Sequence, residues 1–227
     1  MFKDYLKTAR PEVTKDGLVL WLQGEDFVNS PNTTVWRNRA GITANNGNAT
    51  GFAYTSASGS NNQGSVRFDG SNDIVNCGNN ASFNSNYITL EAKIYLVSNP
   101  ATTSIIVGKT TGTTASPYTM SITSGRVPVF FSAGTSQLFG AIALDTGKWY
   151  NITFRTNGTN LVYYVNGIQE TIAAGFTASM ATNANPVTVG NNDSLSRQFN
   201  GIIQTVRIYN RGLTDAEIRN NVSADNE

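Results

Sequence analysis

Trp149-Tyr150-Asn151-Ile152-Thr153-Phe154-Arg155 and, beyond Asn157-Gly158-Thr159-Asn160, Leu161-Val162-Tyr163-Tyr164-Val165-Asn166-Gly167-Ile168 decide the fold. In the first run Trp149, Asn151, Thr153 and Arg155 fall on one side and Tyr150, Ile152 and Phe154 on the other. That is the period of a strand with one face in a core. Asn157 to Asn160 supply turn residues. Asn166-Gly167 is the strongest hairpin signal in the chain, because both central positions of such a turn need positive φ. Residues 149–155, 161–165 and 168–172 therefore read as three antiparallel strands in series.

Outward from this core the same signature recurs. Gly17-Leu18-Val19-Leu20-Trp21-Leu22 is a short apolar run, read as a strand buried on both faces. Ser65-Val66-Arg67-Phe68 alternates, Asp69-Gly70 turns, and Asp73-Ile74-Val75-Asn76 follows. Further strands are expected over 88–97, 105–107, 118–123, 127–131, 187–190 and 201–209. One helix start stands out: Thr214 can cap while Glu217 reaches back to its amide, and Leu213 can staple onto Ile218. This helix is expected to end by Asn220 or Asn221. Many short strands, turn residues throughout and one terminal helix predict an all-β chain folded as an antiparallel two-sheet sandwich. Residues 1–16 differ: Phe2, Tyr5, Leu6 and Ala9 recur at helical spacing, and Pro11 disfavours helix at Arg10. They are read as a short N-terminal anchoring segment ahead of one domain over 17–227. No fixed-period repeat is found.

Composition narrows the function. The 227 residues hold 39% hydrophobic but only 14% charged side chains, and Asn, Thr and Ser together make roughly a third. Lys+Arg 16 against Asp+Glu 15 leaves no basic excess to hold phosphates, so no nucleic-acid partner is expected. No histidine means no imidazole proton shuttle and no His-ligated zinc or copper. Cys77, the one cysteine, cannot form an internal disulfide and reads as a small buried residue at a strand end. Met1 to Lys7 lacks the apolar stretch of a secretory signal, and the longest apolar run, Leu18 to Leu22, is far short of the roughly 20 residues of a membrane span. Synthesis without a cleavable export signal and no membrane insertion are the expectations.

Five segments, in order, resemble laminin-G-like domains of the concanavalin A-like jelly-roll superfamily. The opening strand 17–22 is similar to that family's first strand. Val66-Arg67-Phe68-Asp69-Gly70-Ser71-Asn72-Asp73-Ile74-Val75 resembles its Phe-Asp-Gly-x-x-Asp-Tyr-Val segment, and Ile88-Thr89-Leu90-Glu91-Ala92-Lys93-Ile94 its central strand. The stretch quoted first resembles its Trp-His-His-Val-Ala and Leu-Tyr-Val-Asn-Gly hairpin, and Phe199 to Thr214 its closing strand and turn. The resemblance implies a concanavalin A-like jelly roll over about residues 17–221, with Trp149 and Phe154 filling a core. The matching positions build the scaffold, and such a scaffold hosts many activities.

Glycoside hydrolases need two carboxylates about 5 to 9 Å apart. Relatives that are hydrolases carry them as Glu-x-Asp-x-x-Glu on one strand, and no such spacing occurs here. Glu91 stands alone on its strand and reads as a structural ion pair; Asp215 and Glu217 belong to the helix cap. No catalytic residue is assigned and the chain is not expected to be an enzyme. Many relatives carry calcium, which wants about six to eight oxygens. Asp69, Asn72 and Asp73 are the candidate ligands, with Asp26 or Asp193 approaching from elsewhere, and calcium is the one cofactor considered. Glycan binding needs exposed aromatics with amides and arginines beside them. Trp36, Arg37 and Asn38 meet that need, as do Tyr118 and the loop Asn191-Asn192-Asp193.

The function expected from these readings is non-catalytic surface recognition or adhesion. An Asn/Thr/Ser/Gly-rich surface, few cysteines and no export signal suit a bacteriophage virion protein, a capsid decoration or tail-associated protein made in the host cytoplasm. Phe2, Tyr5 and Leu6 would dock on a larger protein assembly, the virion shell or tail, and the sandwich would face cell-surface glycan. The alternatives are a free carbohydrate-binding module or lectin, which would be extracellular, and a polysaccharide hydrolase.

Overall fold

The computed structural model describes residues 11–61, 63–110, 117–132, 136–156, 159–176 and 183–227. Phe2, Tyr5 and Leu6 lie outside them. In chain order the strands are β1 (Leu18–Gln23), β2 (Val35–Trp36), β3 (Gly47–Thr50), β4 (Gly59–Ser60), β5 (Val66–Asp69), β6 (Ile74–Asn76), β7 (Thr89–Leu96) and β8 (Ser104–Lys109). There follow β9 (Tyr118–Ile122), β10 (Pro128–Ser132), β11 (Ser136–Phe139), β12 (Trp149–Thr156), β13 (Asn160–Val165), β14 (Ile168–Ala174), β15 (Val187–Val189) and β16 (Asn200–Tyr209), then helix α1 (Asp215–Asp225).

Two antiparallel sheets result. The first runs β14-β13-β12-β7-β16-β5-β4, with β1 also on β16; the second runs β11-β10-β9-β8-β15-β6-β3-β2. Long β16 carries β5 beside its first half and β1 beside its second. The quoted stretch folds as read: β12 pairs β13, β13 pairs β14, and Asn166 and Gly167 take φ of 51° and 78°. Side chains on the inner faces, among them Leu20, Phe68, Leu90, Ile94, Ile152, Phe154 and Ile208 facing Val75, Ile106, Met120, Phe130 and Val189, form the main core. Burying a side chain of this kind contributes about 1.5–3 kcal/mol.

A second, smaller core lies on the outer face of the first sheet, beneath α1. Val13, Leu18, Val162, Tyr164, Tyr209, Leu213 and Ile218 pack there. The capping box forms as read, Glu217 N–H donating to Thr214 Oγ1 and Thr214 N–H to Glu217 Oε2. The helix outruns its expected end because Asn221, a weak helix former, turns its amide into a buried network. Its Nδ2 donates to Glu91 Oε2 and to the Tyr209 hydroxyl, both at 2.9 Å, and its Oδ1 accepts from Thr14 N–H at 2.8 Å. Residues 11–16 run along this helix. Among the described residues no helix is long and apolar enough to cross a membrane.

Candidate functional site

Two segments picked out separately in the sequence meet at the rim of the second sheet. In β3 and β6, Ala49 and Val75 point into the core, which leaves Asn48, Thr50, Ile74 and Asn76 on the outer face. The register places Asn48 beside Asn76 and Asn76 beside Thr188 of β15. The turn through Asn72 closes against the end of β3. There Gly51 has φ of 85°, and a Cβ on it would stand 2.2 Å from the Asn72 carbonyl oxygen. Only glycine allows that approach.

From β15 the chain returns through a loop tied down by its own amides. Thr188 Oγ1 donates to the Asn191 carbonyl at 2.7 Å, and Asn191 Oδ1 accepts from the backbone N–H of Asn192 and Arg197 at 3.0 and 3.1 Å. Asn192 Oδ1 accepts from Ser196 N–H at 2.8 Å, while its Nδ2 donates to Ser194 and Ser196 Oγ. This lattice holds Leu195 at φ of 54°, a left-handed conformation leucine seldom takes, with 44% of its surface exposed. Between loop and strands lies a groove of about 340 Å³ lined by Thr50, Gly51, Asn72, Ile74, Asn76, Asp193 and Leu195. Its equipment is a hydroxyl, two amides, one carboxylate and two aliphatic side chains.

The other expected site residues are placed differently. Trp36 is 0% exposed; its Nε1 donates to the Gln23 carbonyl at 2.7 Å and its ring meets Phe27 edge-on at 5.4 Å. Neither ring face is open to a sugar. Asn38 is a buried connector, donating to the carbonyls of Val19 and Ile42 and accepting from Trp21 N–H. Arg37, between them in the chain, is exposed. Tyr118 is buried with its hydroxyl donating to the Phe83 carbonyl. Asn191 and Asn192 build the rim loop from within instead of facing solvent. Trp149, expected in the core, stands on the outer face of the first sheet, 39% exposed.

The calcium ligands do not assemble. Asp73 is buried, Oδ1 accepting from Ser58 Oγ and Oδ2 from Asp69 N–H, both at 2.8 Å. Asp69 Oδ1 accepts from Ser71 N–H at 2.7 Å. Burial pushes the Asp73 carboxyl up to about 6, and both of its oxygens are turned inward onto protein donors. Asn72 alone of the three reaches the groove. Among the described residues no group of three or more acidic, histidine or cysteine side chains converges. The residues present do not fit a calcium site.

Glu91 behaves as read. Its Oε2 lies 3.4 Å from Arg207 Nη1, which with Nη2 also binds Asp225. The pair is buried beneath α1, and burial pushes Glu91 up to about 7. Cys77 is buried, its thiol raised to about 12 by desolvation.

Two packed antiparallel sheets with a loop-built groove at one rim define a lectin-type sandwich. A family model described as the concanavalin A-like lectin/glucanases superfamily, of laminin-G type, matches residues 69–219, and the chain belongs to that family. No curated protein matches it significantly. Among solved structures it is similar to the Trypanosoma rangeli sialidase bound to the inhibitor DANA, with 17% identity and a TM-score of 0.70 over 94% of this chain. The match covers 34% of the sialidase, so the chain spans about a third of that enzyme's length. It is also similar to domain 4 of AbnA, an extracellular arabinanase from Geobacillus stearothermophilus, solved with arabinotriose. There the identity is 13% and the TM-score 0.61, over 92% of this chain and 100% of that domain. At these identities the likeness is one of fold.

Thr50, Ile74, Asn76 and Leu195 were missed in the sequence. The signal for the strand holding Thr50 was the alternation Asn48-Ala49-Thr50, hidden in the polar stretch 45–64. Asp193, read both as a distant calcium ligand and as part of the glycan-binding loop 191–193, is the one member of that loop that lines the groove.

Proposed function

We propose that the domain is a non-catalytic carbohydrate-recognition module and that the groove of Thr50, Asn72, Asn76, Asp193 and Leu195 takes a neutral saccharide. The carrying observation is the loop: buried amides hold a strained, exposed leucine beside a row of hydrogen-bonding side chains. Strain of this kind costs about 1–3 kcal/mol and persists where surrounding structure over-determines it, often at ligand sites. Amides and a carboxylate suit sugar hydroxyls, and Ile74 and Leu195 suit the apolar C–H face of a pyranose or furanose ring. Membership of a lectin and glucanase superfamily and likeness to a domain solved with arabinotriose support the reading. One carboxylate lines the groove where hydrolysis asks for a facing pair, which favours binding without turnover. The recognition role is the same whether the domain is carried on a virion or elsewhere.

Calorimetric titration with arabino-, xylo- and gluco-oligosaccharides tests it. Saturable binding is expected to at least one, weakened about tenfold or more by Asn72→Ala and by Asp193→Ala, with no reducing ends released. Binding to none of them, or release of reducing sugar that Glu91→Gln abolishes, overturns the reading.

A further inference from the structure

The outer face of the first sheet is only half covered. Its cross-strand rows are set by register: Thr153, Glu91, Arg207 and Trp21 form one, and Trp149, Tyr95, Ile202 and Arg67 another. Helix α1 lies over the first row and ends at Asp225, so the second is left bare. A bulge in β16 between Ile203 and Thr205 inserts Gln204 at the boundary. Two adjoining grooves share that glutamine. One, of about 530 Å³, runs past Trp21, Gln23 and Arg207; the other, of about 370 Å³, is lined by Gln63, Ser65, Lys93, Trp149, Gln204 and Asn226.

The two differ in what they leave available. The Trp21 ring already carries the Lys15 ammonium 4.0 Å from its centroid, and Arg39 and Arg207 flank it. Its cations are balanced by Glu12, Glu25, Asp225 and Glu227 along the same wall. Trp149 is open. Its ring leans on Tyr95 at 5.5 Å and 57°, which fixes its attitude while one side stays toward solvent. Beside it Lys93 Nζ donates to the Asp225 carbonyl at 2.6 Å and to Asn226 Oδ1 at 3.0 Å, both uncharged acceptors. The Asp225 carboxylate itself is engaged by Arg207. Among the described residues no carboxylate lines this groove.

We propose that the Trp149 groove is a second saccharide site, independent of the rim groove and on the opposite face, and that it selects a sugar bearing an acidic group. Trp149 supplies the stacking face, Gln63, Gln204 and Asn226 bond hydroxyls, and Lys93 meets the anion. Burial lowers the Lys93 ammonium from its ordinary value, a penalty that an anion at the same spot relieves. The rim groove, whose one charge is Asp193, is complementary to neutral sugars. The domain would thus grip two saccharide chemistries from opposite sides.

The test titrates the full chain with a short oligogalacturonate, a heparin-derived sulfated oligosaccharide of similar length and a neutral arabino-oligosaccharide. At least one acidic oligomer is expected to bind. Trp149→Ala should weaken that binding about tenfold or more, Lys93→Gln should remove the preference for acid over neutral, and Asp193→Ala should leave it unchanged. The carboxylated and sulfated probes say which anion the lysine prefers. Because Lys93 also holds the end of α1, Gln204→Ala, which touches no helix bond, is run alongside with unfolding midpoints, and should weaken binding too. Failure of both acidic oligomers to bind overturns the proposal. So does binding that survives Trp149→Ala and Gln204→Ala, or that is lost with Asp193→Ala.

Discussion

The two outer faces of this sandwich are covered by opposite means. On the first sheet a helix is fastened by charge: Arg207, 1% exposed, bridges Glu91 and Asp225, and Asn221 and Lys93 complete the attachment. On the second, a loop is fastened by neutral amides and hydroxyls, with Asn191, Asn192, Thr188 and Ser196 bonding one another and the backbone. Both covers desolvate polar groups and both satisfy most of them. The difference lies in what happens when one partner goes. A neutral network that loses a member leaves a dipole unpaired, whereas a charged one leaves an ion.

The largest effect is therefore expected from Arg207→Met. It removes the cation that bridges Glu91 and Asp225, and truncating one side of a buried ion pair costs about 3–5 kcal/mol. Urea unfolding should show that loss, with α1 and residues 11–16 becoming the most protease-sensitive part of the chain. Adding Glu91→Leu and Asp225→Asn should recover most of the stability, because an apolar core replaces the orphaned charges. A single variant as stable as the parent would mean that the helix is held by Val162, Tyr164 and Ile218 alone, and the contrast between the faces would collapse.

The second effect is one of pH, and it too separates the faces. Glu91 sits among Arg207, Asp225, Tyr209 and Lys93. Because Asp225 takes the better share of Arg207 and Glu91 Oε1 has no partner, burial dominates and raises its pKa from 4.5 to about 7. The folded state thus keeps a proton that the unfolded chain releases. Stability from this group is fully present below about 4.5 and is lost as pH rises towards 7. Glu91→Gln should flatten the pH dependence of the unfolding midpoint across that window. Asp73, raised from 3.8 to about 6 by its own burial, adds a slope of the same sign at lower pH and is separated by Asp73→Asn. A Glu91→Gln variant with the parental pH profile would show that Arg207 holds the carboxylate charged throughout.

How far all this was legible in the sequence follows from what each signal depends on. The hairpins, the alternation in β12 and the capping box are local, set by residues a few positions apart, and they fold as read. Glu91 as an ion-pair member was legible because a lone acid on a strand needs a cation, although its partner lay 116 residues away. Trp36 and Tyr118 misled because residue type says that a ring is large and not which way it faces. In both, a buried carbonyl takes the polar atom and the ring goes inward. Trp149 misled in the reverse direction, for its alternation was right but the face it shares with Asn151 and Arg155 is the outer one. The rim groove depended on two turns more than a hundred residues apart, and no local pattern joins Asn72 to Asp193.

The smallest effect is expected on the neutral face, and it tests whether the loop is the site's frame. Asn191→Ala removes the acceptor for the backbone N–H of Asn192 and Arg197. Orphaning buried donors costs about 1–3 kcal/mol in total, below the loss at Arg207 because no ion is uncovered. The loss should be independent of pH between about 5 and 8, since no titrating side chain joins those bonds. More telling is where it falls. Leu195 keeps its left-handed backbone only while the lattice holds it, so hydrogen exchange should rise at residues 192–197 and leave β6 and β15 protected. Any oligosaccharide affinity at the rim should fall with it, although Asn191 touches no ligand. If exchange is unchanged and affinity is kept, the strained leucine is held by something other than the buried amides, and neutral fastening is not what shapes this face.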